Sequence, residues 1–178
     1  METVIEGRVW TLGRDVDTDQ IISGKYLTVI DPNELKKHVF EIALPEFASA
    51  GRPGDILVAG ENFGSGSSRE HAPQAMRAAG VAAIVADSFA RIFFRNAINL
   101  GLLAIEVPGV RAIFEAGQAA RIDLAAGRVT NVTTGGTVEF PAIPPHLMSL
   151  LEAGGLVEKV RRELEGRRTV ATPGGAAR

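Results

Sequence analysis

The chain of 178 residues contains no cysteine, and only one tryptophan and one tyrosine. Because iron–sulfur clusters are held by cysteine thiolates, this chain cannot supply the ligands of such a cluster. Its three histidines, His38, His71 and His146, lie in unrelated segments, and without cysteine they make no persuasive zinc site. We therefore predict that the chain itself binds no metal.

Strong charge of either sign and long apolar runs are also missing. The net charge is −2 and the lysines and arginines are scattered, so the chain lacks the basic patch that predicts a nucleic-acid partner. No apolar run approaches the roughly 18 residues of a membrane span, and residues 1–6 have neither the basic start nor the apolar core of a signal peptide. We expect a cytoplasmic protein with no nucleic-acid or membrane partner.

Short apolar runs are present instead, and they indicate an α/β fold with a parallel sheet core. Residues 55–59, 81–86 and 102–107 are runs typical of buried parallel strands. Residues 88–100 carry apolar side chains at helical spacing, and Gly101 follows as a stop signal. This order of strands and helices predicts a parallel sheet with right-handed crossovers.

The remaining elements complete a single domain over residues 1–164. A strand is predicted over residues 3–10 and a carboxylate-rich loop over residues 15–25. After Pro108 the pattern predicts a short helix, three strands and two helices, at residues 111–116, 121–124, 129–133, 137–140, 145–153 and 156–164. Residues 165–178 cannot bury an apolar face, so we predict a disordered tail there.

Residues 60–73 concentrate glycines, two adjacent serines, an arginine and a histidine in the order Gly-Glu-Asn-Phe-Gly-Ser-Gly-Ser-Ser-Arg-Glu-His-Ala-Pro. The segment lies between a predicted strand and a helical pattern, so unpaired N–H groups at the helix start would converge on an enclosed anion. Arg69 offers a planar fork that suits a carboxylate. The segment lacks the Gly-Lys-Ser/Thr ending of a P-loop, and Arg69 replaces the third small residue of the dinucleotide fingerprint, which weakens both nucleotide interpretations.

A structural interpretation of the same segment stays open. Ser67 followed by Glu70 is also a capping box, which requires no ligand. If Ser67 caps a helix, Pro73 lies inside that helix; if the helix begins near Ala72, Pro73 occupies a favoured first-turn position. We favour the second arrangement, because it leaves the serines and Arg69 free to face a substrate.

Residues 60–73 resemble the signature of the small subunits of 3-isopropylmalate dehydratase, which are related to the fourth domain of aconitase. Residues 13–22, Gly-Arg-Asp-Val-Asp-Thr-Asp-Gln-Ile-Ile, and residues 87–96, Asp-Ser-Phe-Ala-Arg-Ile-Phe-Phe-Arg-Asn, are similar to the same family in the same order. The resemblance spans residues 1 to about 160. It implies a swivelling β/β/α domain that acts only with a separate large subunit, as a heterodimer or heterotetramer.

The resemblance also implies a hydro-lyase that interconverts 2- and 3-isopropylmalate in leucine biosynthesis. Such enzymes use a [4Fe–4S] cluster, and the absence of cysteine places that cluster on the large subunit. Ser67 matches the family's serine base, Ser68 lends a hydroxyl and an N–H, and Arg69 is the clamp for the substrate carboxylate, with Gly64 and Gly66 also assigned to substrate binding. A serine is a poor base unless N–H groups, a guanidinium and exclusion of water stabilise its alkoxide, and this segment supplies such groups.

Two upstream positions are assigned to the cleft by the same resemblance. Thr18 and Asp19 are expected to face the large subunit, although carboxylates that cap a turn would explain the aspartate equally well. His71 is a candidate proton carrier, but a histidine beside a helix start is more often structural. Arg91 and Arg95 either contact the large subunit or only form a solvent-exposed face of a helix.

A substrate-selecting loop is expected just beyond, at Tyr26, Leu27, Thr28 and Val29. Relatives that act on homoaconitate or citrate carry an arginine there, and this chain has Thr28 instead. A third carboxylate would stay unpaired while an isopropyl group could pack on methyl groups, so a branched apolar substituent is favoured.

The alternative to isopropylmalate as substrate is homoaconitate or another 2-hydroxy diacid, such as dimethylmalate or citramalate. An alternative of another class is a stand-alone anion-binding or interaction module without catalysis.

Overall fold

The computed structural model describes residues 3–170, with side chains described up to residue 166. Seven strands form one sheet: β1 Val4–Thr11, β2 Ile56–Ala59, β3 Ala83–Ala86, β4 Ala104–Glu106, β5 Ala119–Asp123, β6 Arg128–Asn131 and β7 Thr137–Glu139. Their order across the sheet is β4-β3-β2-β1-β5-β6-β7.

Strand β1 joins a parallel half of the sheet to an antiparallel half. Its C-terminal residues pair in parallel with β2, while residues 4–8 pair in antiparallel register with β5. Strands β2, β3 and β4 continue the parallel half, and β6 and β7 extend the antiparallel half. All residues of β2 and β3 are buried, as expected for strands covered on both faces. The predicted α/β class and parallel core are confirmed.

Seven α-helices accompany the sheet within the described residues: α1 Thr18–Ile21, α2 Pro32–Leu35, α3 Phe47–Ala50, α4 His71–Ala78, α5 Arg91–Asn99, α6 Pro145–Ala153 and α7 Leu156–Val170. Helices α4 and α5 are the crossovers of the parallel half. Gly101, which follows α5, has a φ of +74°, and a Cβ atom there would lie 2.5 Å from the carbonyl carbon of Gly154. The predicted stop at Gly101 therefore also lets the C-terminal ends of α5 and α6 approach each other.

Three predicted boundaries differ from the structure. The predicted loop over residues 15–25 contains α1, because Asp17 and Gln20 form a reciprocal capping box. The predicted helix over residues 111–116 is a 3-10 turn at Val110–Ile113. Helix α7 continues past residue 164 to Val170, so part of the predicted tail is helical, while residues 171–178 lie outside the described residues. The division of the chain at residue 164 stays a prediction.

A buried ion pair ties β1 to the start of β2. Asp55 accepts hydrogen bonds from Arg8 Nη2 at 2.7 Å, Trp10 Nε1 at 2.6 Å and the Arg52 amide at 2.8 Å. Burial raises the pKa of Asp55, but these hydrogen bonds, with the one from Arg8 the strongest, outweigh burial and hold the pKa below its usual value. None of the helices between residues 3 and 170 combines the length and apolar character that a bilayer-spanning segment needs.

Candidate functional site

The segment from Gly60 to Glu70 leaves the end of β2 and is held between two other loops. On one side it bonds to residues 13–18, where Gly64 N donates to Val16 O at 2.8 Å and Thr18 N donates to Ser65 O at 2.9 Å. On the other side Phe63 N donates to Ser88 O at 3.0 Å. The three segments that carry the family resemblance therefore meet at the carboxyl edge of the parallel strands.

Gly64 and Gly66 must be glycine for two different structural reasons. Gly64 is buried with a φ of +80°, and a Cβ atom there would lie 2.1 Å from Cγ of Phe93. Gly66 has a φ of +87° and no neighbour closer than 3.5 Å to such an atom, so only its backbone conformation requires glycine. The loop therefore lies directly on the Phe93 ring before it reaches the serines.

Helix α4 begins at His71, with Glu70 as its N-cap residue and no side-chain capping bond. Pro73 is the third helical residue, where a backbone N–H has no partner within the helix. The favoured prediction is confirmed to within one residue, and the capping box between Ser67 and Glu70 does not form. Arg69 N instead donates to Ser67 O at 2.8 Å in a tight turn, and the side chains of Ser67 and Ser68 are exposed.

Thr18 contacts this turn through its side-chain hydroxyl. Its side chain is only 2% exposed, and its hydroxyl donates to Ser67 O at 3.1 Å. The same hydroxyl oxygen lies 3.5 Å from Ser67 Oγ. Thr18 therefore fixes the position of Ser67 directly.

Arg69 forms an ion pair with Asp19, the second predicted cleft residue. Asp19 also accepts a hydrogen bond from Gly24 N at 3.1 Å, and the bond from Arg69 is the main reason that the pKa of Asp19 lies below its usual value. The Arg69 side chain is 16% exposed, whereas that of Asp19 is 56% exposed. Within residues 3–170, Arg69 Nε and Nη2 have no hydrogen-bond partner, so two donors of the guanidinium remain available to a carboxylate.

The predicted substrate-selecting loop starts beside this ion pair. A Cβ atom on Gly24 would lie 3.3 Å from Asp19 Oδ1 and 3.6 Å from Arg69 Nη2. Gly24 begins a 3-10 turn that ends at Tyr26. Beyond it Leu27 and Thr28 are exposed, Val29 packs partly against the core, and Ile30 is 90% exposed.

Sequence reasoning missed the residue that anchors this loop, Glu41. Its carboxylate accepts from Tyr26 Oη at 2.7 Å, lies 3.1 Å from Lys25 Nζ, and is 2.5 Å from His38 Nδ1. Burial raises the pKa of Glu41, but the hydrogen bonds from Tyr26, His38 and Lys25 lower it to about 2. No short-range signal reveals this contact, because Tyr26 and Glu41 are 15 residues apart.

The other titratable candidates do not join a second cluster. His71 is half-buried and its ring forms no hydrogen bond with the described part of the chain. Among the described residues, no group of three or more histidine, aspartate or glutamate side chains is arranged to hold a metal ion.

The comparisons with known proteins agree on one family for this chain. Residues 25–109 match the Aconitase C-terminal domain. The chain is 57% identical to the 3-isopropylmalate dehydratase small subunit 1 of Methanopyrus kandleri, over 92% of this chain and 96% of that protein. It is 44% identical to the isopropylmalate/citramalate isomerase small subunit of Methanocaldococcus jannaschii, over 92% of this chain and 98% of that protein.

A solved structure has the same fold. The crystal structure of 3-isopropylmalate dehydratase from Methanocaldococcus jannaschii superposes with a TM-score of 0.89 at 38% sequence identity, covering 94% of this chain and 99% of that chain. The swivel-domain fold expected from the resemblance is confirmed by this agreement and by the matched domain.

Proposed function

Since the chain belongs to the family of 3-isopropylmalate dehydratase small subunits, we propose that it is the small subunit of a hydro-lyase that isomerises 2- and 3-isopropylmalate. Its partner would be a large subunit, as the names of its relatives indicate. We propose leucine biosynthesis in the cytoplasm as its setting, and a heterodimer or heterotetramer as the active form.

The observation that carries the proposal is the placement of Ser67 and Arg69 on one anchored turn. Ser67 is exposed and held by Thr18, while Arg69, two residues further along the same turn, keeps Nε and Nη2 available. We assign to Arg69 the substrate carboxylate, which a guanidinium binds through two parallel hydrogen bonds. Ser67 would then face the carbon next to that carboxylate.

In this assignment Ser67 is the base. Its alkoxide oxygen takes the proton from the carbon beside the bound carboxylate, so that the C–H bond breaks and the Ser67 O–H bond forms. The nearby guanidinium and the N–H groups of the turn stabilise the alkoxide in the absence of water. Groups of the large subunit would accept the departing hydroxyl. The reverse steps at the neighbouring carbon then complete the isomerisation.

An iron–sulfur cluster does not fit this chain, because the chain contains no thiolate that could hold one. We therefore place the [4Fe–4S] cluster of the reaction on the large subunit. The isolated chain should accordingly show no iron–sulfur absorbance after anaerobic reconstitution with iron and sulfide, and its complex with the large subunit should show it. A cluster bound to this chain alone would contradict the assignment.

The test of the base is Ser67→Ala in the reconstituted complex. We expect kcat to fall by about three or more orders of magnitude with a small change in KM, because a base acts in the transition state. Ser49→Ala is a matched control, since within residues 3–166 the Ser49 hydroxyl has a hydrogen bond only to Glu46 O. Near-normal turnover in Ser67→Ala would leave the serine with a structural role alone.

The substrate is proposed to carry a branched apolar group, because Leu27, Thr28 and Val29 offer no cation for a third carboxylate. The related isopropylmalate/citramalate isomerase small subunit makes citramalate a second candidate worth measuring. Thr28→Arg should shift activity toward homoaconitate or citrate. An unchanged ratio of activities would place the choice of substrate elsewhere.

A further inference from the structure

A groove with a basic rim lies between α5 and α6, outside the site described above. We call it the basic groove; it has a volume of about 340 Å³ and is lined by Arg91, Phe94, Arg95 and Ile98 of α5 and by Leu147 and Leu150 of α6. Its floor is apolar and its rim carries two guanidinium groups. Ile92, on the same helix, is exposed.

The two arginines do not stabilise the helix that carries them. Arg91 is the first residue of α5, where the positive end of the helix dipole disfavours a cation, and the first turn contains no acidic residue. Arg91 and Arg95 are four residues apart, a spacing at which like charges repel. Their presence therefore needs a reason outside α5.

Neither arginine has a partner in the part of the chain that is described. Arg8 and Arg69 pair with aspartates, and Arg121 and Arg128 pair with glutamates. No hydrogen bond or ion pair joins Arg91 or Arg95 to residues 3–166. Two unpaired cations beside exposed apolar surface favour an acidic partner.

The basic groove adjoins the proposed active site. Ala90, the residue before Arg91, donates its N–H to Phe63 O at 2.9 Å. Phe93 of α5 lies under Gly64, with its ring centre 5.2 Å from that of Phe63. The segment that carries Ser67 and Arg69 therefore packs directly on the helix that carries the basic groove.

We propose that the basic groove is a docking site for a segment of the large subunit that presents carboxylates to Arg91 and Arg95 and apolar side chains to Phe94 and Leu147. This inference rests on the proposed function, because it assumes the large subunit as partner. The arginines steer the association and fix its register, while the apolar floor contributes burial.

The test is a titration of the purified large subunit with this chain, measuring Kd and the association rate at low and high salt. Arg91→Glu combined with Arg95→Glu should raise Kd at least tenfold and remove much of the salt dependence of the association rate. The matched control combines Arg52→Glu with Arg162→Glu, two other exposed arginines whose side chains have no partner in residues 3–166, and it should change Kd less than twofold. At saturating small subunit, kcat and KM should stay within about twofold of wild type.

Each result is decisive. An unchanged Kd in the first double variant, or an equal loss in the control, overturns the docking site and leaves the proposed function intact. A changed KM at saturation with an unchanged Kd would assign the arginines to the substrate and also overturn it. Failure of the wild-type chain to bind the large subunit would contradict the proposed function itself.

Discussion

Two arginine–aspartate pairs that join distant parts of the chain, Arg8–Asp55 and Arg69–Asp19, differ in the burial of the carboxylate and in the number of donors around it. Asp55 has a side chain that is 5% exposed and bonds with Arg8, Trp10 and the Arg52 amide. Asp19 is 56% exposed and accepts only from Arg69 and the Gly24 amide. The same chemical pair thus occurs once in the framework of the sheet and once beside the proposed site.

The difference shows which pair can take part in function. The Arg8 guanidinium bonds to Asp55 through Nε and Nη2, Nη2 also donates to Ala50 O, and the group lies 4.8 Å from the centre of the Trp10 ring. Arg69 keeps two donor nitrogens without a partner in the described chain. A buried carboxylate with several hydrogen bonds contributes to stability, whereas an exposed carboxylate that pairs with an incompletely satisfied guanidinium can be exchanged for another carboxylate.

Among these variants, the loss of Asp55 should have the largest effect, and the quantity that changes is the free energy of unfolding. Asp55→Ala leaves the buried Trp10 N–H and Arg8 Nε without an acceptor and removes the carboxylate that pairs with Arg8, which should lower the free energy of unfolding by about 3 kcal/mol. Denaturant unfolding of the isolated chain measures this change. Asp19→Ala is the control, and it should lower the free energy of unfolding by less than about 1 kcal/mol, because the Asp19 carboxylate is 56% exposed. Equal losses in the two variants would remove the distinction between the pairs.

The second effect concerns activity. Arg69→Lys should lower kcat/KM in the reconstituted complex by about 100-fold, equivalent to about 2.7 kcal/mol, because an ammonium cannot bind a carboxylate through a bidentate fork. Its unfolding midpoint should stay close to wild type. Arg14→Lys, at an exposed arginine that also has carboxylate partners, serves as the control. A large loss of stability with activity retained would assign Arg69 to the framework as well.

Glu41 is a third carboxylate, and its burial lies between that of Asp55 and that of Asp19. Its contribution to stability can be tested by changing the pH. Its pKa is lowered from 4.5 to about 2, so its contribution to stability is present above pH 4.5 and is lost as pH falls toward 2. We expect Glu41→Gln to lower the free energy of unfolding by about 1 kcal/mol at pH 7. The stability of this variant should also depend less on pH than that of the wild type between pH 4.5 and pH 2. Thermal unfolding from pH 7 to pH 2 measures it. Identical pH profiles for the variant and wild type would contradict the assignment.

The smallest effect is expected at Gly24, which contacts the exposed pair. Gly24→Ala places a methyl group 3.3 Å from Asp19 Oδ1, so the exposed carboxylate must move by a few tenths of an ångström. We expect KM to rise about twofold with no change in stability, because small displacements of a binding group weaken its contact with substrate. Ala at exposed Gly13, where a Cβ atom meets no neighbour, is the control. A tenfold change would mean that Asp19 itself takes part in binding.

Local rules recovered the parallel half of the sheet and most helix positions. The buried runs predicted β2, β3 and β4, and the helices predicted at residues 145–153 and 156–164 correspond to α6 and to the first part of α7. The capping box of Asp17 and Gln20 was also readable from the sequence, because the two residues are three apart, although the segment was predicted as a loop. The site residues Ser67 and Arg69 came from the family resemblance, and their chemical roles stay predictions.

The sequence by itself determined the α/β class, the crossover helices and the segment that carries the serines and Arg69, since each depends on periodicity or on residues close together in the chain. Only the tertiary structure decided which carboxylate meets which donor. Arg69 and Asp19 are 50 residues apart, and Arg8 and Asp55 are 47 apart. Such contacts depend on strand register and on close backbone packing, as at Gly64 on Phe93, and neither can be derived from local pattern.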